Sequence, residues 1–295
     1  MIKAGILVIA LGLCALLAFH WVGSSVDEHG ILHEPFALLP IGSTLLVAGL
    51  LAVVIAIRHS IDRRQGVAMP NPILTGQRVL ITQADIFMGP VLCEVFARHG
   101  ATIIANSDSL LEADAPAAIV AQAGRIDVLV ANLAIPAPTT PATEVSEDEW
   151  HDTFAALVDP LPRLFRAVLP AMVERQAGKI LVMGSAAALR GMKRTSTYSA
   201  ARGAQLAYVQ SVGVEVAAHN IQVNAIAQNF VDNPTYFPPE VQANPRFQER
   251  LKREVPLGRL VGAHEDAEFA AYLCSASANC FVGQVFPVCG GWVPR

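Results

Sequence analysis

Three polar side chains in the second half of the chain stand at a spacing that allows acid–base chemistry. Ser185 follows the apolar run 179–183 and Gly184, Tyr198 lies thirteen positions on, and Arg202 four beyond that. Residues four apart on a helix share a face, so Tyr198 and Arg202 can reach one site. A free phenol, with a pKa of about 10, is a poor base near neutrality. A permanent guanidinium charge within a few ångströms favours the phenolate. Tyr198 so tuned can take a proton from a hydroxyl group, while Ser185 hydrogen-bonds the same oxygen.

The surrounding pattern supplies elements to hold these groups. Short apolar runs at 78–82, 101–105, 127–131, 179–183, 221–226 and 284–288 read as strands. Helical stretches at 88–99, 110–123, 147–157, 161–176, 198–219 and 264–276 alternate with them, and Gly100 and Gly124 close two of these helices. Strands apolar on both faces alternating with helices give an α/β fold, a doubly wound parallel (Rossmann-like) sheet with helices on both faces. Sites in such sheets lie at the carboxyl ends of the strands, where Ser185 falls.

The turn after the first strand reads Thr82-Gln-Ala-Asp-Ile-Phe87-Met-Gly89. A dinucleotide-binding turn wants glycines there, so that backbone can approach a pyrophosphate. Only Gly89 remains, with Gln83 and Phe87 where no side chain is wanted. The Phe87 ring fills space a cofactor needs; the alternative is that it packs into the core of a degenerate nucleotide site. Asp108 could still meet a ribose, but by itself also reads as a solvated loop residue.

Hydrophobic residues make up 53% of the 295, charged ones 16%, and the net charge is −4. That is more apolar than an ordinary soluble domain, in which about a quarter of residues are charged. No basic stripe suggests nucleic acid. The five cysteines are odd in number and lack zinc-type spacing; of the eight histidines only His29 and His33 stand at H-x3-H spacing, and they fall in the membrane-like part, so no metal site is expected.

The apolar excess sits in the first 57 residues. Uncharged runs at 4–22 and 36–57 have the length of membrane spans, though the first also resembles a signal segment. Lys3, Arg58, Arg63 and Arg64 flank a loop bearing only acids, which predicts a transmembrane hairpin over 1–64 with both ends inside. Residues 65–76 then link it to a catalytic domain at 77–295, cytoplasmic and anchored to the inner membrane through 1–57. The other reading starts a soluble cytoplasmic enzyme at Met69 and treats the preceding residues as an upstream frame.

Ser185-x12-Tyr198-x3-Arg202, Asn132 and the closing Gly290-Gly291-Trp292 resemble the short-chain dehydrogenases, which place a lysine where Arg202 stands. With Thr82-x4-Phe87-x-Gly89, the pattern from about residue 76 to the end resembles the halohydrin dehalogenases within that superfamily. The resemblance implies a cofactor-free lyase that closes vicinal haloalcohols to epoxides, and opens epoxides with small anions. It makes Ser185, Tyr198 and Arg202 catalytic, and places a halide and substrate pocket at Phe87, Gln228, Asn229, Phe230, Val231 and Tyr236. The relay asparagine of many dehydrogenases would fall near Val158 and is missing. Only about 20 residues separate Asn106 from Asp127, so the extra edge strand of the dehydrogenases is expected to be absent, leaving roughly six strands. The resemblance also implies a homotetramer. An NAD(P)-dependent oxidoreductase and a non-catalytic, membrane-tethered relative remain the alternatives.

Overall fold

A computed structural model describes residues 2–22, 25–26, 32–33, 35, 38–65 and 72–294. The chain divides into two compact units, residues 1–70 and 71–295.

In the first unit, α1 (Ile2–Val22) and α2 (Leu38–Gln65) flank the two-residue strands β1 (Ser25–Val26) and β2 (Leu32–His33), which pair antiparallel. The two helices approach closely at small residues: a Cβ added to Gly12 would lie 2.8 Å from the Gly42 carbonyl oxygen. Among the described residues no helix is long and apolar enough to cross a membrane. The expected transmembrane hairpin, and with it anchoring through 1–57, is therefore not supported. The linker residues 66–71, including Met69, lie outside the described residues.

The second unit runs β3 (Arg78–Thr82), α3 (Gly89–Arg98), β4 (Thr102–Asn106), α4 (Ala115–Ala123), β5 (Val128–Asn132), α5 (Glu147–Leu157), α6 (Pro160–Glu174), β6 (Gly178–Ser185), α7 (Ser196–Val216), β7 (Ile221–Gln228), α8 (Pro239–Gln242), α9 (Pro245–Glu254), α10 (Ala263–Leu273) and β8 (Val285–Val288). The strands form one parallel sheet in the order β4-β3-β5-β6-β7-β8. These are the six strands expected. Among the described residues, only α4 lies between β4 and β5.

Two cores sandwich this sheet. Leu129, Ile180 and Val182 pack under Leu164, Phe165 and Leu206 on one face. Val79, Ile81 and Val130 pack under Leu92, Phe96 and Ala270 on the other. Each fully buried large apolar side chain contributes about 1.5–3 kcal/mol, enough to fix which face each strand residue takes. Buried His99 and exposed-edge Arg98 both bond Glu268, tying α3 to α10. The helix expected from 110 begins only at Ala115. Leu110 is buried, but Glu112 lies in a bend and Asp114 in a turn, and Pro116 stands in the helix's first turn, where its missing N–H costs nothing.

Candidate active site

The winding of the sheet reverses between β3 and β5, so the turn 83–88 and the ends of β5, β6 and β7 surround one crevice. Ser185 is the last residue of β6 and pairs in register with Gln228, the last of β7. Its hydroxyl accepts a hydrogen bond from Ala187 N–H (3.2 Å), which orients the oxygen at the mouth of the strand. Gly184 lets α7 lie close, since a Cβ there would come within 2.8 Å of Leu206 Cδ2. Helix α7 starts at Ser196, two residues earlier than the pattern suggested. Tyr198 therefore stands in its first turn and Arg202 one turn on.

Both side chains are buried, Tyr198 at 7% exposed and Arg202 at 3%. Arg202 Nη1 donates to Leu133 O (2.7 Å), Met183 O (3.0 Å) and Gln205 Oε1 (2.9 Å), while its Nε has no partner. Its guanidinium carbon lies 5.1 Å from the centre of the Tyr198 ring. Burial pushes the Tyr198 phenol up, but the Arg202 charge and the neighbouring hydroxyl and guanidinium groups of Tyr236, Arg202 and Ser185 outweigh it, so its pKa falls below the ordinary value. The Tyr236 phenol moves the opposite way, raised by burial and by Tyr198 beside it. One phenol is poised to ionise and its neighbour is held neutral.

The turn after β3 keeps a glycine-like backbone without the glycines. Gln83 (φ 45°) and Phe87 (φ 51°) both occupy the left-handed region, which costs a side-chain-bearing residue about 1–2 kcal/mol. Hydrogen bonds within the site hold this geometry. Ala134 N–H donates to Gln83 Oε1 (2.7 Å), Asn132 Nδ2 to Gln83 O (3.0 Å), and Thr82 Oγ1 to Asn132 O (3.1 Å). Gly89 serves packing, because a Cβ there would lie 2.2 Å from Gln83 O. The fold is one that carries a dinucleotide, but this turn does not fit one. The Gln83 side chain bridges inward to Ala134, and the Phe87 ring, 5.6 Å from the Tyr236 ring, stands in the crevice.

A cavity of about 230 Å3 is lined by Phe87, Ser185, Tyr198, Arg202 and the loop after β7, including Gln228, Asn229, Phe230, Val231 and Tyr236. All nine residues expected at the site are thus brought to one cavity, but they do not all face it with a free polar group. Gln228 Nε2 donates to buried Asp266, and Asn229 Oδ1 accepts from Phe230 N–H (2.9 Å). Phe230, with φ 52°, packs its ring against Trp292 and Phe237, and the Arg250 guanidinium lies above it. Val231 bridges to Val261 in parallel, with Val261 N–H donating to Phe230 O and Asp232 N–H to Val261 O. In such a bridge the N–H of Val231 itself faces the other way.

Three participants were not anticipated from the sequence. Gln205 accepts from Arg202 and donates to Leu157 O, and its i,i+3 spacing from Arg202 was the available signal. Asp266 under Gln228 and Arg250 over Phe230 come from separate helices and had no signal. Val158 ends α5 and packs in the small cluster around Tyr198. Asp108 bonds Asn106 Nδ2 (2.8 Å). Among the described residues no group of three or more His, Cys, Asp or Glu could hold a metal ion.

Residues 78–293 match the profile of the family described as enoyl-(acyl carrier protein) reductase, so the chain belongs to the short-chain dehydrogenase/reductase superfamily of enzymes. A second profile, described as a protein of unknown function, matches residues 1–58. Within the superfamily the similarities run to both reductases and dehalogenases, and the solved structures include a 3-oxoacyl-(acyl-carrier protein) reductase with bound NAD from Brucella melitensis, at TM-score 0.67 and 25% identity over 75% of this chain and 92% of that one. By sequence, the chain is 28% identical over 241 residues to the 3-oxoacyl-(acyl-carrier-protein) reductase of Salmonella typhimurium, covering 73% of this chain and 97% of that one. By structure, it resembles a protein titled a dehalogenation enzyme, at TM-score 0.70 and 33% identity over 75% of this chain and all of that one. A halohydrin dehalogenase bound to ethyl (2S)-oxiran-2-ylacetate matches at TM-score 0.65 and 26% identity, over 73% of this chain and 96% of that one.

Proposed function

We propose that this protein is a halohydrin dehalogenase, closing vicinal haloalcohols to epoxides and halide without a nicotinamide, and opening epoxides with small anions in reverse. The observation that carries this reading is the Phe87 ring, standing in the crevice beside an intact Ser185, Tyr198 and Arg202 where a dinucleotide would have to enter. The dehalogenase structures among its relatives support it, and the epoxide bound to one of them belongs to the proposed product class.

Ser185 and Tyr198 hold the substrate oxygen, and the Tyr198 phenolate, favoured by Arg202, takes its proton. The oxygen forms a bond to the neighbouring carbon from behind, and the carbon–halogen bond breaks, with the electron pair leaving on the halide. Because ring closure is intramolecular, correct orientation supplies much of the rate. The anion is received between the positive edge of the Phe87 ring and the loop after β7, where Val231 N–H is the donor turned from the bridge to Val261. Tyr236 closes the substrate side. Assembly as a homotetramer belongs to the same reading.

The test is halide release by the full chain from a small chloro- or bromoalcohol without any nicotinamide, beside Tyr198→Phe. Release that vanishes in the variant is expected. Absence of release from folded protein, together with saturable binding of a nicotinamide cofactor, would instead support the oxidoreductase reading that the reductase relatives favour.

A further inference from the structure

Tyr236 has more partners than a residue that merely lines a cavity. Its hydroxyl donates to Ile135 O and accepts from the Ala137 backbone, and it also lies within hydrogen-bond reach of Tyr198. A phenol has one proton to give. It cannot serve the Ile135 carbonyl and the Tyr198 oxygen at once, so the acceptor that is stronger at the time decides. A carbonyl outcompetes a neutral phenol oxygen, and a phenolate outcompetes a carbonyl, because hydrogen bonds to charged acceptors are roughly twice as strong.

We propose that Tyr236 is a positioning residue for the base: its O–H bonds Ile135 O while Tyr198 is neutral, and swings to the Tyr198 oxygen when that phenol gives up its proton. The role rests on the dehalogenase reading for its catalytic use, though not for its existence. The surroundings leave the pair in control of its own charge. Arg202 faces Tyr198 from the same helix and Ser185 from β6, and Arg250 lines the far wall. From α5, the Glu149 carboxylate is bound to Thr140 and to Thr197, the residue before the tyrosine. Asp232, in the loop that carries Tyr236, is bonded by Gln242 Nε2 (2.8 Å). Neither acid lines the cavity. The aromatic wall of Phe87 and Phe237 fixes the Tyr236 ring, so only its hydroxyl turns.

The experiment is an ultraviolet tyrosinate titration of substrate-free protein, with Tyr198→Phe used to identify the Tyr198 signal. Tyr236→Phe is expected to raise the Tyr198 midpoint by about one pH unit, a tenfold loss of phenolate at fixed pH below it. The same shift should appear in the pH profile of kcat, with KM changing less. Fluorotyrosine at position 236, a more acidic phenol and a stronger donor, should lower the midpoint and keeps the test open if the phenylalanine variant does not fold. A Tyr198 midpoint that stays put in a folded variant overturns the proposal. A midpoint that moves in a protein inert toward haloalcohols would uphold the coupled phenols and refute the dehalogenase reading instead.

Discussion

Among the described residues Arg202 is the cation found over the Tyr198 ring, so its removal tests what charge contributes to the base. At about 5 Å and an effective dielectric constant of about 20, two unit charges interact by roughly 3 kcal/mol. That is about two pH units in the phenol, so Arg202→Met should raise the Tyr198 midpoint by about two units and cut kcat near neutrality by about a hundredfold. Stability should fall as well. Leu133 O, Met183 O and Gln205 Oε1 lose their donor, at about 1–3 kcal/mol for each buried acceptor left bare. Arg202→Lys keeps the charge and offers three donors, so it separates the two effects. Its midpoint should stay within about one unit of the parent, while its shorter, tetrahedral head recovers only part of the stability. Halide release across a pH series, paired with tyrosinate absorbance and urea unfolding, measures all three quantities. A folded Arg202→Met variant whose Tyr198 midpoint is unchanged would refute the assignment of Arg202 as the source of phenolate stabilisation.

Further expectations test the turn, the wall and the floor of the site. Phe87→Gly removes an aromatic face but relieves a left-handed residue, so unfolding free energy should change by less than about 2 kcal/mol while halide product inhibition weakens at least about fivefold; unchanged inhibition would remove Phe87 from the anion site. Gly89→Ala drives a Cβ to 2.2 Å from the Gln83 carbonyl and should cost more than about 3 kcal/mol or abolish folding, as read by chemical denaturation. Burial holds the Asp266 carboxyl up at about 7, against the lowering effect of Gln228. The unfolded chain therefore releases this proton from about pH 4 upward while the folded chain keeps it, so stability should decline by about 4 kcal/mol as pH rises to about 7. Asp266→Asn should flatten that slope in urea unfolding near pH 5 and pH 8, and an unaltered slope would place the pH dependence elsewhere.

What could be read in advance followed from how local each determinant is. The strands were legible because segments such as Val128 to Ala131 are buried on both faces, and so carry unbroken apolar runs. Ser185, Tyr198 and Arg202 were legible because a strand end and one helix face fix their spacing. The start of α4 was misplaced because Leu110 looks helical by apolarity, whereas Asp114 and Pro116 hold the real beginning. The contact of Tyr236 with Tyr198, 38 positions away, depends on the path of an irregular loop, and Asp266 meets Gln228 only because α10 crosses under β7. The apolar runs foretold helices α1 and α2, which exist, while among the described residues neither is long and apolar enough to support the expected span.

The left-handed residues at 83 and 87 also bear on how such an enzyme can arise and be altered. Side chains occupy the two places on a backbone that glycine would favour; the hydrogen bond from Asn132 to the carbonyl of residue 83 can form whatever that residue is, whereas the bond from Ala134 depends on the Gln83 side chain. Each exchange of glycine for a larger residue then carries a penalty of about 1–2 kcal/mol, which a protein of ordinary stability can absorb one at a time. On the dehalogenase reading, the exchange of a nucleotide seat for an anion seat is then within reach of single substitutions at these two positions.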